Sequence, residues 1–283
     1  AREIILSFTK KNDIILDPFC GGGTTAIESI LHGRKIICSD INSLAGFITR
    51  SKATPLKNEV INKITEWTFH TLERLKEYRK MEVPANFQIN DNLHCRKTTW
   101  ILYKLKNEVN LQTDHQIRTI GNLIMLSVGK KCYDCQDKPL NPSKFIKSFE
   151  KISKLTIKSL VEYSNQCFSI SPNINLEDDI KIFSENALNL PYLIEKKYTK
   201  KIKLVLTSPP YPGVHILYHR WQIKGRRQTS LPFDLLNLND GSPSSYYTLG
   251  AETKKGYDFY FESIKKVFCG LREIITKIRL LCK

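Results

Sequence analysis

Asp17-Pro18-Phe19-Cys20-Gly21-Gly22-Gly23-Thr24-Thr25 stands between the apolar run Ile14-Ile15-Leu16 and the breaker-free segment Ala26-Ile27-Glu28-Ser29-Ile30-Leu31. That succession predicts a buried strand, a tight turn, and a helix starting at Thr24 or Thr25. Consecutive glycines carry no Cβ and let a ligand approach the backbone, with Gly21 and Gly23 as the expected approach surface. The helix start behind them offers unpaired N–H groups and a positive dipole end to an anionic group. Arg34 to Asp40 reads as a second strand ending in an acid. Asp40 lies 17 residues after Gly23, about where nucleotide-type folds hold a carboxylate for ribose hydroxyls.

The glycine pattern lacks the third glycine of G-x-G-x-x-G and the lysine of a phosphate-binding loop. Its meaning comes from a second stretch, Lys203 to Tyr211 (KLVLTSPPY), another strand of buried character that ends in Ser208-Pro209-Pro210-Tyr211. DPFCGGGTT together with TSPPY resembles the DNA amino-methyltransferases. Members of that family use S-adenosylmethionine to methylate an exocyclic base amine. The resemblance continues through Pro212-Gly213-Val214-His215, Tyr218-His219-Arg220-Trp221-Gln222 and Gly225-Arg226-Arg227. It covers both ends of the chain well and the middle loosely. It implies a Rossmann-like α/β sheet with Asp17, Phe19, Cys20, Gly21, Gly23, Thr24, Thr25 and Asp40 around the cofactor. It also implies a cofactor-binding residue after the third strand. Asn186 falls there by the Ala-x-x-x-Pro tail, with Glu185 beside it, where the family usually carries an acid.

The atoms of SPPY suit this chemistry. A base amine is a poor nucleophile because its lone pair is delocalised into the ring. A site must therefore accept hydrogen bonds from both amine hydrogens and turn the lone pair towards the methyl group. The Ser208 hydroxyl and the Pro209 carbonyl are the expected acceptors, and Pro209 and Pro210 stiffen the loop without adding N–H donors. Tyr211 can stack on a base flipped out of the duplex. No covalent intermediate is needed, so Cys20 has no role as nucleophile, and catalysis is mostly positioning. Serine before Pro-Pro-Tyr leans, on resemblance alone, towards cytosine N4, with adenine N6 second. Carbon-5 methylation needs a Pro-Cys pair, and the sequence contains none.

A formal net charge of +16 points towards a polyanion, here double-stranded DNA. Lys196 to Arg227 holds nine Lys/Arg and no Asp or Glu, and this window brackets SPPY. Lys224, Arg226, Arg227 and His219 are the expected DNA contacts. No signal peptide or membrane-spanning run is visible, and eight irregularly spaced cysteines read as reduced thiols of a cytoplasmic protein. Cys132 and Cys135 form one C-x-x-C pair without a second, and no metal is expected.

In chain order a short helix within 1–11 precedes strand 12–17, helix 24–32, strand 34–40 and helix 42–51. From 57 to 165 strand signals nearly vanish. Val60, Ile64, Trp67, Thr71, Leu75 and Tyr78 mark one amphipathic helix; 100–109, 116–128 and 142–163 read as others. A crossover rarely needs so long a path, so 57–165 is expected to be an inserted helical subdomain. Its mildly basic surface is open to two readings, a solvated helical face or a DNA-contacting, target-recognition element. The catalytic domain then comprises 1–56 and 166–283. It resumes at a strand 179–183 and carries a helix 257–275. A sheet of this type needs about seven strands, and after Tyr211 only Lys277 to Leu281 reads as one, so the fold is expected to be incomplete at its C-terminus. The expected function is site-specific DNA methylation, with a cognate restriction endonuclease as partner. RNA guanine-N2 methylation and a non-catalytic S-adenosylmethionine- or DNA-binding remnant stay open as alternatives.

Overall fold

A computed structural model describes residues 1–77, 82–84, 87, 95–212, 221–223, 227–239, 249, 253–275 and 280–282, with 227–228 and 280–282 as backbone alone. The chain divides into two compact units, one of residues 1–55, 165–216 and 239–283 and one of 56–164 and 217–238.

The first unit begins with α1 (Arg2–Phe8), β1 (Ile14–Asp17), α2 (Thr24–Leu31), β2 (Lys35–Ser39) and α3 (Ser43–Ala53). All four residues of β1 are buried, as expected for a strand covered on both faces. Arg34 ties the end of α1 to the start of β2: Nε donates to Thr9 Oγ1 at 3.0 Å, and its terminal nitrogens donate to the Thr9 and His32 carbonyls. Asn42 caps α3, its Oδ1 accepting from the Leu44 and Ala45 amides at 2.9 and 3.4 Å.

Four long helices follow, α4 (Asn58–Lys76), α5 (Arg96–Asn110), α6 (His115–Tyr133) and α7 (Pro142–Ile170). Their buried faces carry Ile64, Trp67, Leu102, Leu105, Ile124, Phe145 and Phe149. Asp114 caps α6 through bonds from the Gln116 and Ile117 amides. At Gly121 an added Cβ would meet the Trp67 ring at 3.0 Å, so the small residue lets α4 and α6 approach.

Beyond α7 come α8 (Leu176–Asp179), β3 (Ile180–Phe183), α9 (Leu190–Leu193) and β4 (Ile202–Thr207). Next are β5 (Trp221–Ile223), β6 (Arg227–Thr229), α10 (Leu231–Leu236), α11 (Lys254–Arg272) and β7 (Leu280–Cys282). β5 and β6 pair antiparallel, a ribbon the sequence reading did not anticipate. Residues 217–238 cluster with the helical unit, although the sequence reading assigned them to the catalytic domain. The reason is Trp221, which is 3% exposed and stacks on Tyr133 of α6 with centroids 6.3 Å apart and planes at 13°.

The main sheet has the order β3-β2-β1-β4-β7, and every pairing in it is parallel. Helices alternate with its strands, which makes it the expected Rossmann-like α/β sheet. Part of its core gathers Leu16, Ile37, Leu190, Val205, Val267 and Leu271. Among the described residues no helix is long and apolar enough to cross a membrane.

Candidate active site

β1 leads through α2 to β2 on one side, while β4 pairs with β1 on the other. The strand order therefore reverses between β1 and β4, and open α/β sheets bind ligands outside the carboxyl ends of strands at such a point. Residues 17–25 leave the end of β1, and Ser208 to Tyr211 leave the end of β4. A buried hydrogen bond joins the two ends: Thr207 Oγ1 donates to Asp17 Oδ1 at 2.7 Å. The same oxygen accepts from the Phe19 amide at 3.2 Å. Asp17 is 3% exposed, so its carboxylate works inside the protein, fastening one loop to the other.

The glycine turn is tied down at almost every peptide. The Cys20 amide donates to Ser39 O, and the Gly23 amide to Cys20 O, both at 2.9 Å. The Gly21 amide donates to Asp40 Oδ2 at 2.9 Å, and Asp40 Oδ1 accepts from the Asn42 amide at 2.9 Å. Each Asp40 oxygen thus already serves one backbone donor. A carboxylate oxygen has a second lone pair, so each retains acceptor capacity beyond its backbone amide. Burial pushes the Asp40 carboxyl above its usual range, the two amides oppose that, and Asp17 adds to it.

Two side chains of α3, unremarked in the sequence, hold the turn from behind. Thr49 Oγ1 donates to Gly21 O at 3.0 Å, and Lys52 Nζ donates to Gly22 O at 2.8 Å. Desolvation lowers the Lys52 pKa. Cys20 is buried with its thiol 3.8 Å from Thr49 Oγ1. The pattern offers one signal for both side chains: they lie three residues apart on α3 and so share a helix face.

The glycines divide their work differently from the sequence reading. Gly23 sits at φ 84°, and an added Cβ would meet Thr49 Oγ1 at 2.8 Å. It is a glycine for backbone conformation and packing against α3. At Gly22 an added Cβ would meet nothing within 4 Å, and the residue is exposed. Space beside the backbone is therefore open at Gly22 and filled by Thr49 at Gly23. Thr24, also exposed, opens α2, which has no side-chain cap, and Thr25 is buried. Phe19 is half-buried against the core.

At the end of β3, Ser39 Oγ donates to Glu185 O at 2.7 Å. Asn186 is exposed and uses Oδ1 to accept from the Leu188 amide at 3.0 Å, capping a single 3-10 turn at 187–189. Glu185 accepts from Asn189 Nδ2 at 3.2 Å. At the end of β4, Pro209 is buried and Pro210 half-buried, while Ser208 is exposed and Tyr211 is 51% exposed. Lys224, Arg226, His219 and His215 lie outside the described residues, as does the side chain of Arg227.

Cys132 is buried, which raises its thiol pKa to about 12, whereas Cys135 is exposed. Among the described residues no three His, Cys, Asp or Glu side chains gather as a metal site.

Residues 1–45 match a family model described as DNA methylase. The chain is 48% identical over 68 residues to Type II methyltransferase M2.MboI of Moraxella bovis, covering 22% of this chain and 24% of that protein. It is 33% identical over 49 residues to Type II methyltransferase M.MvaI of Kocuria varians, covering 17% and 11%. It is 41% identical over 64 residues to a "Probable tRNA (guanine(10)-N2)-dimethyltransferase" of Methanothermococcus thermolithotrophicus, covering 22% and 39%. The chain therefore spans between about a tenth and two fifths of the length of these relatives. The resemblance to the DNA amino-methyltransferases stands on the family match and on the two Type II methyltransferases.

Proposed function

We propose that this chain, whose first 45 residues match the DNA methylase family, transfers a methyl group from S-adenosylmethionine to an exocyclic amine of a DNA base. Cytosine N4 is the first expected target and adenine N6 the second. The observation that carries this reading is the Thr207–Asp17 hydrogen bond of 2.7 Å, which sets the glycine turn of β1 beside the Ser-Pro-Pro-Tyr loop of β4.

The residues fit the cofactor. Gly22 leaves open space where a Cβ would stand, so a ligand can lie against its backbone. The uncapped start of α2 faces the anionic end of such a ligand with free N–H groups. Asp40 is the acceptor for ribose hydroxyls, and Asn186, whose Oδ1 already accepts the Leu188 amide, has its amide group left to offer the adenine ring. When bound, the cofactor supplies a methyl group on a positively charged sulfur, already activated for transfer.

The chain then has to present the amine. The Ser208 hydroxyl and the Pro209 carbonyl accept the two amine hydrogens, which draws the nitrogen lone pair out of the ring. Tyr211, half exposed at the mouth, stacks on the extruded base. As the new C–N bond forms the methyl–sulfur bond breaks, its electron pair staying on the sulfur, which becomes neutral, and the amine then gives up one proton to solvent water. Ser208 holds that hydrogen along the way and forms no bond to the base. Double-stranded DNA is the substrate in this reading, and a cognate restriction endonuclease is the implied partner.

The deciding experiment incubates the chain with duplex DNA and isotopically labelled cofactor, digests to nucleosides and identifies the product by mass spectrometry. N4-methylcytosine is expected. Finding 5-methylcytosine, or no transfer despite cofactor binding, would overturn the reading. Guanine-N2 methylation of RNA has support in the match to the archaeal relative, and a parallel digest of RNA decides it.

A further inference from the structure

The helical unit is basic: 57–165 carries 19 Lys/Arg against 12 Asp/Glu. Much of that excess is collected on one line. Lys144, Lys147, Lys151, Lys154 and Lys158 are all exposed residues of α7. Their spacing of three and four keeps them within about 80° of arc at 100° per residue, along about 21 Å of helix axis. The opposite face of α7 carries Phe145, Phe149 and Leu160, all buried, which fixes the helix and turns the lysines outward.

A helix face that merely keeps its surface wet alternates charge sign, so that each lysine has an acid three or four residues away. By spacing this face does so at Lys147 and Lys154, which flank Glu150, and at Lys158 with Glu162, but only Lys154 with Glu150 at 2.7 Å and Lys158 with Glu162 at 3.8 Å are ion pairs. Elsewhere it sets lysine against lysine: Lys144 beside Lys147, Lys147 beside Lys151, Lys151 beside Lys154. Among the described residues Lys144, Lys147 and Lys151 have no acid within ion-pair distance. Such neighbours repel along the helix unless something negative lies over them. An extended polyanion does this best, because its charges recur over the same length. One strand of duplex DNA carries a charge every 3.4 Å of axis, so about six phosphates lie along the stripe.

We propose that the outer face of α7, through Lys144, Lys147 and Lys151, is a phosphate-backbone docking surface for duplex DNA. The choice of duplex DNA as occupant rests on the methyltransferase reading; the stripe itself does not. The contacts are to phosphates, so they position the duplex and carry no base preference.

The test compares the full chain with a K144Q/K147Q/K151Q variant. All three positions are exposed, so helix content by circular dichroism should not change. Binding of a random-sequence duplex is measured by fluorescence anisotropy across salt concentrations. Three lost phosphate contacts should flatten the slope of log affinity against log salt by about 2–3. Cofactor affinity, read by calorimetry, should stay as in the parent. An unchanged slope overturns the proposal, as does a loss confined to an RNA hairpin or to vesicles of anionic lipid. Methyl transfer separates the two claims. A parent chain that transfers no methyl group but loses slope in the variant removes the activity reading and leaves the stripe. Transfer by the parent with an unchanged variant slope does the reverse.

Discussion

At the carboxyl edge of the sheet, Asp17 and Asp40 accept from the Thr207 hydroxyl and from three backbone amides, and Lys52 is fixed to a glycine carbonyl. Along the outer face of α7, Lys144, Lys147 and Lys151 have solvent around them and one another as neighbours. On the two proposals above, the regions prepare for a ligand in two ways. The sheet edge fixes its groups beforehand, so that little ordering remains when a small molecule arrives. The helix face leaves its charges loose, which suits a partner met through long-range attraction and many weak contacts.

Substitutions test the contrast in order of size. Ser208→Ala should lower turnover by about a hundredfold or more, the usual loss for one hydrogen bond made in the transition state. The cofactor constant should not move. Steady-state kinetics showing a parallel rise in the cofactor constant would place Ser208 in binding instead.

The neighbouring glycines should then separate fold from ligand. Gly23→Ala should cost about 1–3 kcal/mol of stability, because a side chain is strained at positive φ and here also meets Thr49. Gly22→Ala should change stability by about 0.5 kcal/mol or less, as an open surface position does, yet weaken the cofactor several-fold. Urea titration and calorimetry on the two variants give the comparison. Equal behaviour would remove the distinction between them.

On the helix face the sign reverses. Lys151→Glu sets an acid between Lys147 and Lys154, and each new pair should add about 0.2–0.5 kcal/mol to the helix. Thermal unfolding should therefore shift up slightly while duplex affinity falls. A stability gain without loss of affinity would show a face used only for solvation.

The smallest effect is one of pH. The Asp40 carboxyl lies above its ordinary value of 3.8, so the native state holds that proton more tightly than the unfolded chain does. Its contribution to stability is complete below the ordinary value and is lost as pH rises through the native one. Asp40→Ala should flatten that descent in urea titrations run upward from pH 3.8. An unaltered slope would assign the descent to another group.

The β1–turn–α2–β2 unit was legible because its signals are local: an apolar run, a glycine turn, a breaker-free helix and an acid at a fixed distance. The long helices of 57–165 were legible by their three-and-four periodicity. Thr49, Lys52 and Thr207 were not, since their partners are set by how α3 and β4 pack and by nothing near them in sequence. The division between Gly22 and Gly23 was hidden for a related reason, as the direction of an absent Cβ depends on φ. Strands of three residues, as in β5 and β6, are too short for a period of two to show. Trp221 read as part of the catalytic domain, yet its ring is buried on Tyr133 in the helical unit.

The hydrogen bond between Thr207 and Asp17 spans 190 residues of chain. During synthesis the glycine turn leaves the ribosome before β4 and waits for it while the four long helices are made. Closing so long a loop adds little to the equilibrium cost, which grows only with the logarithm of length. It weighs instead on time, because contacts so distant in sequence form slowly. The helices have time to pack first, as units within larger chains do. The ends of β1 and β4 then meet only after the helices made between them.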